Sequence, residues 1–195
     1  MNIYFKILYA AATLLVLLVT ACSLDGNDTK VQSVLNQEEL IKRGEYLVNS
    51  IGCDDCHSPK VMGPKGPEIN HELRFSGYQA NMPLPKIDKN VLQNWVLFAH
   101  DLTAAVGPWG VSFAGNISSD ETGIGLWSED QFVKSIKEGK FKGMDGGRTL
   151  LPPMPWQVYR NLTDQDLKAI FAYLKTTKPV RNIVPTPISL AELKN

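Results

Sequence analysis

Cys53-Asp54-Asp55-Cys56-His57 is the stretch on which the reading of this chain turns. Two thiols at this spacing add across the two vinyl groups of one porphyrin, and the adjoining imidazole reaches the iron from the same side. Three other uses of Cys-x-x-Cys compete. A thioredoxin-type redox pair expects a preceding strand and a βαβ setting, whereas a helical pattern precedes the pair here. A zinc site needs further ligands, and the other histidines, His71 and His100, form no second paired motif. A plain disulfide is the third. Attachment of one haem c through Cys53 and Cys56, with His57 as axial ligand, is the expectation taken forward.

Upstream, Asn36-Gln37-Glu38-Glu39 has the form of a capping box, and Leu40, Ile41, Leu47 and Val48 recur near helical spacing. The pattern predicts a helix over Gln37–Asn49. Gly44 inside it is either a tolerated defect, at about 1 kcal/mol against alanine, or the mark of a close helix contact. Downstream, Thr163 can cap a second helix in which Leu167, Ile170, Phe171 and Leu174 form one apolar stripe. It should end near Thr177, because Pro179 cannot continue it. Tyr173 flanks that stripe and could lie over Gly44. A third helix opens at Ser128 and stops near Gly139, with Phe132, Ile136 and Val133 inward. Between Ser58 and Trp127 the glycines and prolines imply loop, with a short helix expected over Lys89–Ala99, capped by Asp88, that turns Leu92, Trp95 and Val96 inward. Gly107–Gly125 carries no strong strand signal.

A six-coordinate iron needs a ligand opposite His57. Met62, Met82, Met144, Met154, His71 and His100 are candidates. Met62 follows His57 too closely to reach the other haem face. Met154 sits in Leu151-Pro152-Pro153-Met154-Pro155-Trp156, where prolines restrict the backbone and lower the entropy lost in presenting one side chain. It also lies a short loop before the last helix, and is the expected distal ligand. The four tryptophans, with Phe75, Phe113 and Phe171, can wall the haem, and Arg148 and Arg160 are candidates for a propionate contact.

The first residues read differently. Lys6 precedes a 14-residue run, Ile7–Thr20, that is almost wholly apolar. A charged start, a short apolar stretch and small residues before a processing site form a secretory signal. Fourteen helical residues span roughly 21 Å, short of the roughly 30 Å hydrocarbon core. The run ends in Val19-Thr20-Ala21-Cys22, which resembles the bacterial lipobox, so Cys22 is the expected lipidation site and the mature N-terminus. The expected organisation is a signal peptide over 1–21, a lipidated N-terminus and flexible tether over 22–36, a haem domain over 37–185, and a tail over 186–195. The product is expected to be extracytoplasmic, held to the membrane on the periplasmic side or at the outer membrane. Lysine and arginine number 20, as do aspartate and glutamate, for a net charge of zero over 195 residues. That balance argues against a nucleic-acid binder, which would show a basic face, and leaves local patches free to steer a protein partner.

Further stretches carry a resemblance. They are Gly44 to Val48, Cys53 to His57, Pro108 to Phe113, Asn116-Ile117, Thr122 to Gly125, Leu151 to Tyr159, Leu162 to Leu174 and Pro179-Val180. Together they resemble a class I cytochrome c, and more narrowly the cytochrome domains of alcohol-dehydrogenase cytochrome subunits. The resemblance implies a mainly α fold in which N- and C-terminal helices pack around one covalent haem, with a long loop insertion after the haem motif. It implies that Cys53 and Cys56 are the thioether cysteines, His57 the proximal and Met154 the distal ligand. It also implies that the carbonyl of Pro64 or Pro67 holds the second ring nitrogen of His57. The subunits it resembles usually carry more than one haem, whereas this chain has a single C-x-x-C-H. The function implied is transfer of single electrons between a donor and an acceptor redox protein, the chain being a carrier or a subunit of a dehydrogenase or respiratory complex. The competing reading is a haem enzyme with an open distal position, acting on peroxide or nitrogen oxides with His71 or His100 as the distal group.

Overall fold

The computed structural model describes residues 35–193; the expected signal run, Cys22 and most of the expected tether lie outside them. Helix α1, Gln37–Ser50, starts on the expected box: Asn36 Oδ1 accepts from the Glu39 backbone N–H at 3.0 Å, and the Glu39 carboxylate accepts from the Asn36 N–H at 3.0 Å. The short α2, Cys53–His57, follows after Gly52. Helix α3 spans Glu129–Glu138, α4 is the single turn Trp156–Tyr159, and α5 spans Asp164–Leu174. Ser128 caps α3 through a second reciprocal box, and Thr163 accepts from the Asp166 N–H at 3.0 Å to cap α5. These ends form where the sequence supplies a short polar side chain to satisfy otherwise orphaned N–H groups.

Helices α1 and α5 cross in direct contact. A Cβ added to Gly44 would lie 1.9 Å from the Ala169 carbonyl oxygen and 2.8 Å from Tyr173 Cβ. Of the two readings of Gly44, the close contact therefore applies, and Tyr173 does lie against it. Leu47 and Val48 meet Leu167, Ile170, Phe171 and Leu174 in one buried cluster, joined by Phe75, Ile124, Phe132 and Ile136. Burial of each leucine stabilises the fold by roughly 1.5–3 kcal/mol. Phe132 and Phe171 stack obliquely at 5.4 Å between centroids, binding α3 to the same core.

The insertion between the haem motif and α3 is not the plain loop expected. β1, Lys60–Gly63, pairs antiparallel with β2, Gly66–Ile69. Further on, β3 (Leu97–Phe98), β4 (Ala104–Gly107) and β5 (Gly110–Phe113) form an antiparallel sheet in that order. The expected helix over Lys89–Ala99 is reduced to a 3₁₀ turn at Val91–Gln93 followed by β3. Only Leu92 of its three inward residues is buried; Trp95 and Val96 are exposed. Leu92 finds a second cluster with Val106, Val111 and Leu193, so sheet pairing outweighs a weak local helix signal. The fold thus combines helices with small sheets. Residues 186–193, read from sequence as a tail, pack onto this sheet. Ile188 bridges Val111, with N···O distances of 2.7 and 3.1 Å, and Leu193 is buried.

Candidate haem site

α2 brings Cys53, Cys56 and His57 onto one short helix, the two cysteines one turn apart and both free. The pair follows a helix, not a strand. Among the described residues no group of three or more His, Cys, Asp or Glu side chains is placed to hold a metal ion. Burial, aided by the Asp54 charge, pushes the Cys53 thiol up to about 12, and burial raises Cys56 as well.

His57 is half-buried, with Nδ1 2.7 Å from the Gly115 carbonyl oxygen. A carbonyl only accepts, so Nδ1 carries the proton and Nε2 keeps its lone pair for an iron. Burial pulls the imidazole below its usual pKa, and the Gly115 hydrogen bond works the other way. The expected proline carbonyl is not the partner. Pro64 lies in the turn between β1 and β2, and Pro67 pairs across the hairpin with Met62; both are exposed. Gly115 is held in place by its neighbours. Buried Asn116 donates to the Val180 carbonyl at 2.8 Å and accepts from the Ser118 N–H at 3.0 Å. The Tyr78 N–H donates to the Ala114 carbonyl at 3.0 Å.

α2 is anchored by charge. Arg74 grips the Asp54 carboxylate with Nε at 3.0 Å and Nη2 at 2.6 Å. The same guanidinium reaches Asn49 Oδ1 of α1 at 2.6 Å and the Tyr173 hydroxyl of α5 at 3.3 Å. Ser58 donates to Asp54 at 2.6 Å and accepts from the Phe75 N–H at 2.9 Å. Burial works against the Asp54 charge, but the Arg74 and Ser58 hydrogen bonds and the Arg74 charge hold its carboxyl below the usual range. Lys60 Nζ donates to the carbonyls of Asp54, Asp55 and Ser58, capping the helix end.

Met154 is half-buried and, like Cys53, packs against the main core cluster. The other candidates stand elsewhere: Met62 is 80% exposed, Met144 56%, and His71 and His100 lie on the surface. Met82 is half-buried in the insertion. The loop that presents Met154 is closed on itself by Met154 N–H to the Leu151 carbonyl at 3.2 Å and Trp156 N–H to the Met154 carbonyl at 2.9 Å. Its Pro152–Pro153 bond is cis. Leu150 N–H to the Gly139 carbonyl at 2.6 Å ties it to the end of α3, where the Trp156 ring covers Gly139. The Tyr159 hydroxyl donates to the Ile51 carbonyl at 2.7 Å, linking α4 to the segment ahead of Cys53.

Of the expected aromatic wall, Phe75 and Phe171 are buried, Trp109, Trp127, Trp156 and Phe113 half-buried, and Trp95 is 67% exposed. Arg148 stacks on Phe141 at 3.8 Å and Arg160 lies 5.6 Å from the Trp156 ring, so both guanidinia have aromatic partners. Sequence reasoning missed Asp54, Ser58, Arg74 and Gly115. The donor set fits a covalently attached haem: paired thiols, an imidazole with Nε2 free and its tautomer fixed, and a thioether on the same core.

A family model described as cytochrome c matches residues 41–178. The chain is 31% identical over 160 residues to a gluconate 2-dehydrogenase cytochrome c subunit from Pantoea cypripedii, a match covering 78% of this chain and 28% of that protein. It is 27% identical over 194 residues to a fructose dehydrogenase cytochrome subunit from Gluconobacter japonicus, covering 96% of this chain and 32% of the relative. An alcohol dehydrogenase (quinone) cytochrome c subunit from Gluconobacter oxydans is 27% identical over 145 residues, covering 73% and 23%. The chain thus spans about a third or less of the length of these relatives.

Proposed function

The chain belongs to the cytochrome c family, and from that premise we propose that it carries one haem c and passes single electrons between two redox proteins. The single C-x-x-C-H supports one haem for this chain. Cys53 and Cys56 would form the two thioethers, with His57 Nε2 and Met154 Sδ the axial pair. When bound, such a haem supplies a one-electron couple whose potential is raised by His/Met ligation. The residues of the chain do the rest. Gly115 fixes the imidazole tautomer, as partners behind a metal-bound histidine do; Arg74 holds α2 to the paired helices; the apolar cluster excludes water. The single observation that carries this reading is the His57 Nδ1–H to Gly115 contact at 2.7 Å, which leaves Nε2 free beside two unbridged cysteines.

The names of the relatives support a dehydrogenase as electron donor. Cys22 supports attachment to a membrane by lipid on the extracytoplasmic side, since several acyl chains give stable anchoring. The competing reading, an enzyme with an open iron, would take its distal group from His71 or His100, both of which are exposed.

The optical spectrum of the oxidised holoprotein tests the reading. A low-spin spectrum with the near-infrared methionine–iron band is expected, and Met154→Ala should abolish that band. A high-spin spectrum, or rapid carbon monoxide binding to the reduced protein, would overturn it.

A further inference from the structure

The strand β5 and its exit touch His57 and the loop that carries Met154. Gly115 accepts from His57, and three residues earlier the Ser112 hydroxyl donates to the Pro152 carbonyl at 2.5 Å. Ser112 is 7% exposed. Its Oγ also lies 3.2 Å from Trp109 Nε1 and 3.4 Å from the Ala105 carbonyl. A hydroxyl has one proton to give, so the short contact to Pro152 takes it, and a lone pair accepts the indole N–H. The result is a directed chain, Trp109 to Ser112 to Pro152, that ends two residues before Met154.

The Met154 loop needs such a donor from outside. Pro152, Pro153 and Pro155 have no N–H, so the loop is tied to its surroundings mainly through carbonyls. Its own turn is closed by Leu151 and Trp156, and α3 holds it at Leu150. Ser112 supplies the tie on the side facing the sheet.

We propose that Ser112 is a positioning residue for Met154, its hydrogen bond to Pro152 setting how readily the thioether leaves the iron. This rests on Met154 being the distal ligand. With that bond gone, the prolines still narrow the loop conformation, but its distance from β5 is no longer fixed. Displacement of the sulfur then requires less distortion.

The test uses ferric holoprotein mixed with imidazole in a stopped-flow instrument, following loss of the near-infrared band. Ser112→Ala should be displaced about fivefold faster than wild type, as expected for a partly buried hydrogen bond. Ser112→Thr, which keeps the hydroxyl and suits a strand, should stay within about twofold. Equal rates in wild type and Ser112→Ala would overturn the proposal while leaving Met154 as ligand. So would equal acceleration in the alanine and threonine variants, which would assign the effect to packing. If wild type lacks the band, or Met154→Ala retains it, the ligand assignment itself fails. Should Ser112→Ala not fold, Trp109→Phe carries the test. It leaves the hydroxyl but removes the donor that orients it; a twofold acceleration is expected and an unchanged rate overturns the proposal.

Discussion

The helix that carries His57 and the loop that carries Met154 are held by different physics. α2 is tied by a charged network: the Arg74 guanidinium joins Asp54, Asn49 and Tyr173, and so fastens the thiol-bearing turn to both long helices. Residues 151–156 of the Met154 loop make no ion pair among the described residues, and their one charged neighbour is Arg160, 5.6 Å from the Trp156 ring. The loop is held by backbone hydrogen bonds, a hydroxyl on one carbonyl, and an indole ring over a glycine. Removing one partner of a partly buried ion pair is costly, because the other charge is left unpaired; neutral hydrogen bonds are each worth about 1 kcal/mol. One side of the site is therefore built to stay, and the other can yield. Under the proposed reading as an electron carrier, that difference would place covalent permanence on the cysteine side and adjustability at the Met154 sulfur.

The sharpest way to break this contrast is Arg74→Leu. It leaves the Asp54 carboxylate, whose side chain is 13% exposed, without its guanidinium. A loss of about 3 kcal/mol is expected in guanidinium unfolding followed by circular dichroism. A loss well under 1 kcal/mol would mean that charge does not anchor α2. Next in size is Gly139→Ala on the opposite side. Gly139 has φ +66, and a Cβ there would meet the Trp156 ring at 2.5 Å. Backbone strain and displacement of the ring should cost about 2 kcal/mol. The near-infrared band should weaken while the thioether-linked haem stays attached, as read in denaturing gels stained for haem. An unchanged band would separate Trp156 from the placement of Met154.

The smallest effect is the acid response of Asp54, whose stabilisation is whole at neutral pH and shrinks in acid. Because the folded pKa of Asp54 lies below its ordinary value, its contribution is present above about pH 4 and is lost as pH falls through the folded value. Unfolding midpoints measured from pH 6 to pH 3 should fall in wild type and fall less steeply in Asp54→Asn. Parallel profiles would remove Asp54 from the acid response.

The helical frame was legible because its signals are local. Asn36 with Glu39, Ser128 with Gln131, and Thr163 ahead of Asp166 each announce a helix start within four residues. The apolar stripe of α5 needed only helical spacing. The sheets were not legible, since β4 and β5 are stabilised by pairing partners and by Ile188 from the far end of the chain. The same distance hid Arg74, whose partners lie 20 to 99 residues away. Gly115 acts through a carbonyl, which every residue has, so no side chain marks it. The support for His57 that the resemblance implied, the carbonyl of Pro64 or Pro67, is not used, because the β1–β2 hairpin carries both prolines to the surface.

The pairing of Ile188 with Val111 has one more consequence. β5 would otherwise be the rim of its sheet, with the N–H and C=O of Val111 free to recruit a strand from another molecule. Residues 186–193 occupy that rim and bury Leu193 behind it. They act as a selvedge, the finished margin that keeps a fabric from unravelling into its neighbour. A chain shortened to residue 185 would expose that margin on the strand whose Ser112 holds Pro152 and whose exit holds His57, so that, on the proposed ligation, self-association and a disturbed iron environment would be two symptoms of one cut.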